Sequence, residues 1–280
     1  MTRPGDTTTD RYVLFGHPVA QSKSPFIHGL FAQQLAQDVS YRLVDVPPEE
    51  FLDTARRFFI DGGAGANVTL PHKQAALELV DLLTPEAERA GAVNTLVVRE
   101  DGTLLGANTD GVGLRQDLEK NLGLKLAGKR LLLLGAGGAT RGILEPLLQA
   151  NPAVLHIANR TVARATELAA AFADLGPVEG GGYADLGEHA PFDLILNATA
   201  ASLAGEVPPV PARLLTPDTV AYDLAYARGE TPFTQWARKR GLRQVHKGYG
   251  MLVEQAAVAF ALWRGVRPDT APVLAALRSL

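Results

Sequence analysis

Residues 130–142 read RLLLLGAGGATRG, and this stretch decides the fold. Four leucines in a row, Leu131 to Leu134, show no polar alternation, which is how a strand covered on both faces of a sheet reads. Gly135, Gly137 and Gly138 follow at once, and ATRGILEPLLQAN then takes up a helical spacing. Glycines at a strand-to-helix junction let the backbone turn tightly and approach a pyrophosphate, whose charge sits against the helix N-terminus. The sixth position of the G-x-G-x-x-G pattern is Thr140, not glycine, and an ordinary tight turn would look similar. The strand before and the helix after favour a dinucleotide site.

Downstream, VLHIANR, a helix from Thr161 to about Ala173, FDLILNAT and TVAYDLAY repeat the pattern of continuous apolar runs. This is a doubly wound, Rossmann-type outline. At the end of the second strand an NAD site usually carries an acidic residue for the ribose 2′-hydroxyl. Here Asn159, Arg160, Thr161 and Arg164 stand instead, with no carboxylate. A guanidinium suits a 2′-phosphate through charge and bidentate geometry, so NADP is favoured over NAD. Solvated surface arginines are the alternative. Beyond RGLRQVHKGYG, the segment MLVEQAAVAFALW is apolar almost all round and ends at Gly265, as a buried helix does.

Upstream, YVLFG, SPFIHGLFAQQLA, SYRLVDV, EEFLDTARRFF and GANVTL alternate strand and helix patterns. A further helix is expected from about Lys73 to Leu83, and AVNTLVV with TLLGANTD, joined at Asp101-Gly102, reads as a hairpin. The fold class is α/β: an N-terminal α/β substrate domain with a mostly parallel sheet, plus a Rossmann-type doubly wound NADP-binding domain. The expected boundaries are a disordered N-terminal extension over residues 1–10, a substrate-binding catalytic domain over 11–110, the dinucleotide domain over 111–247, and C-terminal helices over 248–280 packing back on the substrate domain. A helix before the first Rossmann strand is expected in GLRQDLEKNLG.

The chain has 280 residues, 46% hydrophobic and 20% charged, with a net charge of −3. That is enough apolar material for two cores and no electrostatic reason to bind nucleic acid or an anionic membrane. No apolar run has the length of a membrane span, and the start, MTRPGDTTTDRY, lacks a signal-peptide core. Cysteine is absent, which removes disulfides and thiolate chemistry and fits a cytoplasmic location. His17, His28, His72, His156, His189 and His246 show no i, i+4 pair, so no metal site is expected. Neither a G-x-S-x-G elbow nor a Walker A motif is present.

Neutral polar residues crowd the ends of the first domain's strands: Ser22, Ser24, Asn67, Thr69, Asn94 and Asn108. Ser24 before Pro25 could simply be an N-cap and N1 pair. Asn67 and Asn94 could hold loops. Together they suit a small polyhydroxylated ligand, because hydroxyl and amide groups exchange hydrogen bonds with substrate hydroxyls. Lys73, at the start of the expected helix, is poorly placed against the helix dipole. With Asp110 it could move a proton as a hydride arrives or leaves; equally, the two could be a structural ion pair or unrelated surface charges. Gln255 is a neutral polar group in an apolar helix, or an edge residue beside Glu254.

SKSPFIH, GANVTLPHK, AGAVNT, NTDG, GAGGATRG, NRT and GMLVEQAA occur in an order and spacing that resembles the shikimate dehydrogenases, from about Tyr12 to the C-terminus. That resemblance implies NADPH-dependent, reversible reduction of 3-dehydroshikimate to shikimate in aromatic amino-acid and chorismate biosynthesis. It implies Lys73 as the catalytic lysine and Asp110 as its carboxylate partner. Ser22 and Ser24, with Tyr226, would receive the substrate carboxylate; Asn67, Thr69, Asn94 and Gln255 would bind ring hydroxyls or position the lysine. Gly135, Ala136, Gly137, Gly138 and Ala139 would form the cofactor loop, Asn159, Arg160, Thr161 and Arg164 the 2′-phosphate clamp, and Leu224 and Gly248 the nicotinamide end. The partner would be a small-molecule substrate, with no nucleic acid and no membrane, and the protein a monomer or homodimer. Two stretches depart from the family pattern: Ala200, Ala201 and Ser202 after N-A-T, and Lys247 before Gly248. A quinate or shikimate dehydrogenase using NAD, and a dinucleotide-binding regulator without turnover, are the rival readings.

Overall fold

The computed structural model describes residues 9–199, 205–226 and 229–279. The chain forms two compact units. One comprises the chain up to Thr109 together with Ala256–Leu277; the other comprises Asp110–Gln255 and the residues from Arg278. Residues 1–8 of the expected extension lie outside the described residues, and Asp10 already pairs with Val39 in the first strand.

The first unit is built on a six-stranded sheet: β1 (Asp10–Gly16), β2 (Val39–Asp45), β3 (Gly65–Val68), β4 (Leu82–Leu83), β5 (Thr95–Val98) and β6 (Leu104–Ala107), in the order β2-β1-β3-β5-β6-β4. β2, β1 and β3 run parallel, linked by the helices α1 (Ser24–Gln34) and α2 (Phe51–Ile60). β5 runs antiparallel to both β3 and β6, the latter pairing being the expected hairpin. Its core gathers Val13, Phe15, Phe51, Val68, Val93 and Leu96. Burying each such side chain contributes about 1.5–3 kcal/mol before the entropy of ordering it.

The helix expected from Lys73 to Leu83 does not form. A 3₁₀ segment covers Ala75–Leu79, and Leu82–Leu83 become β4. The open edge of β6 explains this, because its backbone groups need partners. Asp81 donates its N–H to Leu104 O at 2.9 Å, Thr84 donates to Gly106 O at 2.9 Å, and the Asp81 carboxylate accepts the Leu104 N–H at 2.8 Å. Thr84 then caps α3 (Pro85–Ala90), accepting from the Ala87 N–H, with Pro85 at its start and Gly91 in the left-handed region after its end.

The second unit opens with α4 (Asp110–Gln116), continued by a wider π turn over Asp117–Asn121. Its sheet comprises β7 (Arg130–Leu134), β8 (Val154–Ala158), β9 (Val178–Gly181), β10 (Leu194–Asn197), β11 (Val220–Asp223) and β12 (Gln244–Lys247). The order is β12-β11-β10-β7-β8-β9, every pair parallel. Read from β9, this is the 3-2-1-4-5-6 order of a dinucleotide fold, whose strand order reverses between β7 and β10. The four leucines show why the run is unbroken. Leu131 and Leu133 join the core on one face, with Ile143 of α5 (Gly138–Leu148) and Phe172 of α6 (Val162–Phe172). Leu132 and Leu134 join the core on the other, with Phe192 and, from α7 (Pro232–Lys239), Phe233.

α8 (Tyr249–Arg264) belongs to the second unit as far as Gln255 and to the first from Ala256. Within the first unit the Trp263 ring packs at 4.6 Å from that of Tyr12 and donates its indole N–H to Leu96 O at 2.9 Å. Arg264 pairs with Asp10. α9 (Ala271–Arg278) buries Val273, Leu274 and Leu277.

Candidate active site

In the first unit the polar residues gather at the ends of β3 and β5. Asn67 occupies a fully buried strand position, where an unpaired amide would be costly. Its carbonyl oxygen accepts the Tyr41 hydroxyl at 2.8 Å, and its amide donates to Asn94 O at 3.2 Å and Thr95 Oγ1 at 3.1 Å. Asn94 in turn donates to Thr109 Oγ1 at 3.0 Å, while its carbonyl oxygen accepts the Thr109 N–H at 2.8 Å and Thr95 Oγ1 at 2.9 Å. Asn67 and Asn94 are therefore brought together in one network with Tyr41, Thr95 and Thr109. Asn108, beside it, donates to Ala92 O at 3.0 Å. Tyr41, Thr95 and Thr109 carry no chemistry of their own that sequence reasoning would single out.

Ser22 and Ser24 meet directly, their hydroxyls 3.1 Å apart, with the Ser24 N–H donating to Ser22 Oγ at 3.2 Å. Ser24 is the first residue of α1 and Lys23 precedes it as the cap, so Ser24 is not the helix cap the Ser-Pro pair suggested. Its buried hydroxyl has no capping duty. Asp45 holds the preceding loop, accepting from the Val19 N–H at 3.2 Å and lying 2.5 Å from His17 Nδ1. That His17 contact and the Val19 bond hold the Asp45 carboxyl below its ordinary value.

Lys73 stands in the turn after β3, half-buried, ahead of the 3₁₀ segment and not at an α-helix N-terminus. The dipole argument for an unusual cation therefore lapses. What fixes the turn is its neighbour: the buried His72 ring stacks on Phe51 at 4.4 Å, and its Nε2 is 2.8 Å from Val46 O. Burial lowers the His72 pKa. Lys73 contributes backbone as well, its carbonyl accepting the Val93 N–H at 2.8 Å. Thr69, half-buried, donates its N–H to Phe15 O at 2.9 Å at the end of β1.

In the second unit, Gly135 follows β7 with φ +105°, a conformation that side chains disfavour. A Cβ there would also lie 3.1 Å from Thr199 Cγ2 and 3.3 Å from Ala198 O, beyond β10. Gly135 thus sits in the crevice where the strand order reverses, the position at which such sheets bind ligands. Thr140 is fully buried and donates its hydroxyl to Gly135 O at 2.9 Å, which ties α5 to the loop and accounts for the missing third glycine. Gly137 and Gly138 differ from Gly135: a Cβ on either would meet nothing within 4 Å. The chain itself does not need these two glycines. Space is kept in front of an α5 N-terminus whose cap, Gly137, supplies no side-chain bond. That space, together with first-turn amide groups that have no partner within the helix and the helix dipole, fits a pyrophosphate.

At the end of β8, Asn159 donates its side-chain N–H to Thr161 O at 2.9 Å and its backbone N–H to Gly181 O at 3.1 Å. Thr161 precedes α6, and Arg160 and Arg164 are exposed, with no ion pair among the described residues. Leu224 and Gly248 are in contact, since a Cβ on Gly248 would lie 2.3 Å from Leu224 O. Tyr226 lies 5.8 Å from the Tyr249 ring. Lys247 donates to Gly229 O at 2.6 Å and rests 5.0 Å over Tyr249, so this departure from the family pattern braces the loop after β11. Ala200, Ala201 and Ser202 lie outside the described residues.

Asp110 is buried as the first residue of α4, where a carboxylate is favoured by the helix dipole. Gln255 is half-buried and donates to Leu252 O at 2.9 Å. Glu254, beside which Gln255 could have been an edge residue, is the more buried of the two at 4% exposure. It accepts from Asn121 at 3.1 Å; Asn121 also donates to Asp117 at 3.0 Å, and Tyr222 donates its hydroxyl to Asp117 at 2.7 Å. Burial and the Asp117 carboxylate push the Tyr222 pKa well up. At the end of β10, Asn197 donates to the buried Asp223 at 3.0 Å, and Asp223 accepts the Thr231 hydroxyl at 2.6 Å. Asp117, Asn121 and Tyr222 stand in no pattern that the sequence marks.

Three family models match the chain. They are the shikimate dehydrogenase substrate binding domain over residues 14–96, shikimate / quinate 5-dehydrogenase over 117–204, and the shikimate 5′-dehydrogenase C-terminal domain over 248–278. The chain is 56% identical over 273 residues to a protein of Methylococcus capsulatus named shikimate dehydrogenase (NADP(+)), with 98% of each chain covered. It is 56% identical over 269 residues to a protein of Aeromonas hydrophila of the same name, covering 96% of this chain and 97% of the relative. Among solved structures it resembles the shikimate 5-dehydrogenase of Thermus thermophilus in complex with NADP(H) and shikimate. The TM-score there is 0.84 at 36% identity, covering 96% of this chain and 99% of that one. With the all-parallel 3-2-1-4-5-6 sheet and its glycine turn already in view, the chain belongs to the shikimate dehydrogenase family.

Proposed function

We propose that the protein is an NADP-dependent shikimate dehydrogenase, an oxidoreductase that interconverts 3-dehydroshikimate and shikimate. The observation that carries this reading is the space kept at Gly137 and Gly138 before the N-terminus of α5, with exposed arginines and no carboxylate at the end of the neighbouring strand. It supports a dinucleotide carrying a 2′-phosphate, which when bound supplies or receives a hydride.

The chain's own residues do the rest. Gly135 to Ala139 hold the pyrophosphate through backbone amides, and Asn159, Arg160, Thr161 and Arg164 hold the 2′-phosphate. Leu224 and Gly248 shape the nicotinamide end. Ser22 and Ser24, with Tyr226, receive the substrate carboxylate. Asn67, Thr69, Asn94 and Gln255 bind the ring hydroxyls. In reduction, Lys73 gives a proton to the substrate carbonyl oxygen as the carbonyl carbon gains the hydride, leaving an alcohol; oxidation returns the proton to Lys73, with Asp110 as its carboxylate partner. These roles rest on the match between each residue and the family motif that contains it. The network around Asn67 and Asn94 supports theirs independently, because two buried amides with fixed orientations select a ligand whose hydroxyls complement them.

We further assign residues 11–110 to a substrate-binding catalytic domain and residues 111–247 to an NADP-binding domain. The same reading has a cytoplasmic enzyme, monomeric or homodimeric, with a small molecule as its partner. No helix among the described residues is long and apolar enough to cross a membrane. The test is absorbance at the reduced-nicotinamide band with shikimate and quinate, each against NADP and NAD. Turnover with shikimate and NADP far above the other three pairs is expected. Equal or higher turnover with quinate or NAD, or none at all, overturns the reading.

A further inference from the structure

Away from the glycine turn, on the face of the second sheet that carries Leu132, Leu134 and Phe192, three potential ligands converge. His156 of β8 and Glu179 of β9 are register partners on neighbouring strands, and His189 follows the 3₁₀ turn Asp185–Glu188. One ligand atom from each lies within 4.8 Å of the other two. The His156 and His189 rings are 4.2 Å apart, and His156 Nδ1 is 3.5 Å from Glu179 Oε2.

His156 is the residue that needs an explanation. It is 3% exposed, yet neither ring nitrogen has a hydrogen-bond partner. The approach to Glu179 is longer than a normal N···O hydrogen bond of about 2.7–3.2 Å. Buried polar groups are ordinarily satisfied, and an orphan among them points to an unseen partner. Its register partner Leu132 and Phe192, whose ring is 6.4 Å from its own, belong to the apolar core on this face, so packing alone does not call for a histidine here.

We propose that His156, Glu179 and His189 bind one divalent transition-metal cation of the Zn²⁺ class. Two imidazoles and a carboxylate are a borderline-soft donor set, which suits Zn²⁺ over Mg²⁺ or Ca²⁺ and leaves a fourth tetrahedral position for water. Bonds to zinc of about 2.0–2.2 Å require the three donors to draw closer than they stand, and the exposed Glu179 side chain and the half-buried His189 can move to do so. The cation would clip the edge strand β9 and the 185–188 turn to β8. It would sit two residues before Ala158, where β8 ends and the Asn159–Arg160 segment begins. The role is structural, because nothing in the proposed hydride transfer passes through it.

The test uses the full-length protein, stripped with chelator and then titrated with ZnCl₂ by calorimetry and followed by thermal unfolding. One Zn²⁺ per chain and a Tm raised by several degrees are expected. Glu179→Gln, at an exposed position, and His189→Ala, at a half-buried one, should each weaken Zn²⁺ binding by roughly 10–100-fold or more while the stripped variants keep the Tm of the stripped parent. Absence of stoichiometric binding overturns the proposal. So does binding that both variants retain unchanged, because the ion then sits on other groups such as the exposed His17–Asp45 pair. Turnover by the stripped protein is measured alongside, so that loss of the metal site and loss of the dehydrogenase reading remain distinguishable.

Discussion

Tyr41 donates its hydroxyl to the side-chain carbonyl of Asn67 at 2.8 Å, across from β2 to β3. An amide can be flipped end for end at almost no internal cost, and only its partners decide which way it points. With the carbonyl held by Tyr41 and the amide hydrogens directed at Asn94 O and Thr95 Oγ1, Asn67 has one orientation. An aromatic residue on another strand of the sheet thus sets the donor and acceptor pattern of a residue proposed to read substrate hydroxyls.

Tyr41→Phe keeps the ring and removes this one restraint. A single neutral hydrogen bond is worth about 0.5–1.5 kcal/mol, so KM for shikimate should rise roughly 2–10-fold while KM for NADP stays put. Steady-state kinetics with each substrate varied in turn checks this. A rise in both constants, or in neither, means that Tyr41 does not orient Asn67 for the substrate.

The ring of Tyr41 also stacks on His28, ring centroids 4.3 Å apart, and His28 is completely buried between α1, β2 and the Phe260–Trp263 end of α8. Burial lowers its pKa to about 3, against a smaller opposing effect of Asn67. An unfolded chain takes up that proton near the ordinary value of 6.5, while the folded one does not until about 3. Between those values the unfolded state binds more protons, so the stabilisation is complete above pH 6.5 and is lost as pH falls. The slope is at most about 1.4 kcal/mol per pH unit. His72, His156 and His246 are shifted the same way, so the comparison must be with a variant. His28→Phe should flatten the curve between about pH 6.5 and about 5 by up to roughly 2 kcal/mol in urea unfolding. Parallel curves would show that His28 is protonated in the native state.

Much of the fold was legible because its signals were local. The Leu131–Leu134 run and the glycine turn announced a strand covered on both faces, and the four leucines divide between two cores as such a run must. What stayed hidden depended on distant partners. The 73–83 segment carries helical spacing, but the vacant edge of β6 pulls Leu82–Leu83 into the sheet. The capping signals at Thr84-Pro85 and Thr231-Pro232 were present and would have located α3 and α7. Asn67 and Asn94 were found as types, yet Tyr41, Thr95 and Thr109 have no mark in sequence. Glu254 beside Gln255 shows the same limit: which of two polar neighbours is buried is decided by Asn121, far away in the chain.

The glycine turn yields a contrast between two substitutions. Gly135→Ala forces a side chain into a positive-φ conformation and against Thr199, so stability should fall by about 1–3 kcal/mol. Gly137→Ala meets no protein atom and sits at φ −97°, so Tm should be unchanged. If the space is for pyrophosphate, Gly137→Ala should still raise KM for NADP by about tenfold or more, the equivalent of about 1.4 kcal/mol. A Gly137→Ala enzyme with normal NADP affinity would leave the turn without its assigned ligand.

Arg160 is exposed and outside any ion pair among the described residues, so removing it should not disturb the fold. A charge-assisted hydrogen bond to phosphate is worth about 1.5–3 kcal/mol, which places the loss of NADP affinity in Arg160→Ala at roughly 10–100-fold. NAD has no 2′-phosphate and should bind as before. Fluorescence titration with both cofactors separates the cases, and equal losses would mean that the guanidinium shapes the site without reading the phosphate.

Lys73 can be tested with little structural confusion, because its turn is held by the His72 ring on Phe51 and by the Val93-to-Lys73 backbone bond. Lys73→Ala should therefore keep its Tm and its KM while kcat falls by about 10²–10⁴-fold, the usual worth of a positioned acid–base group. An unchanged kcat removes Lys73 from the mechanism. Lys73→Arg then asks what kind of help the lysine gives. Arginine keeps the positive charge but does not release its proton in proteins. If kcat recovers in the arginine variant, Lys73 acts only as a charge beside the carbonyl oxygen. If it stays low with KM intact, the ammonium must give up a proton in the reaction, and the acid–base assignment stands.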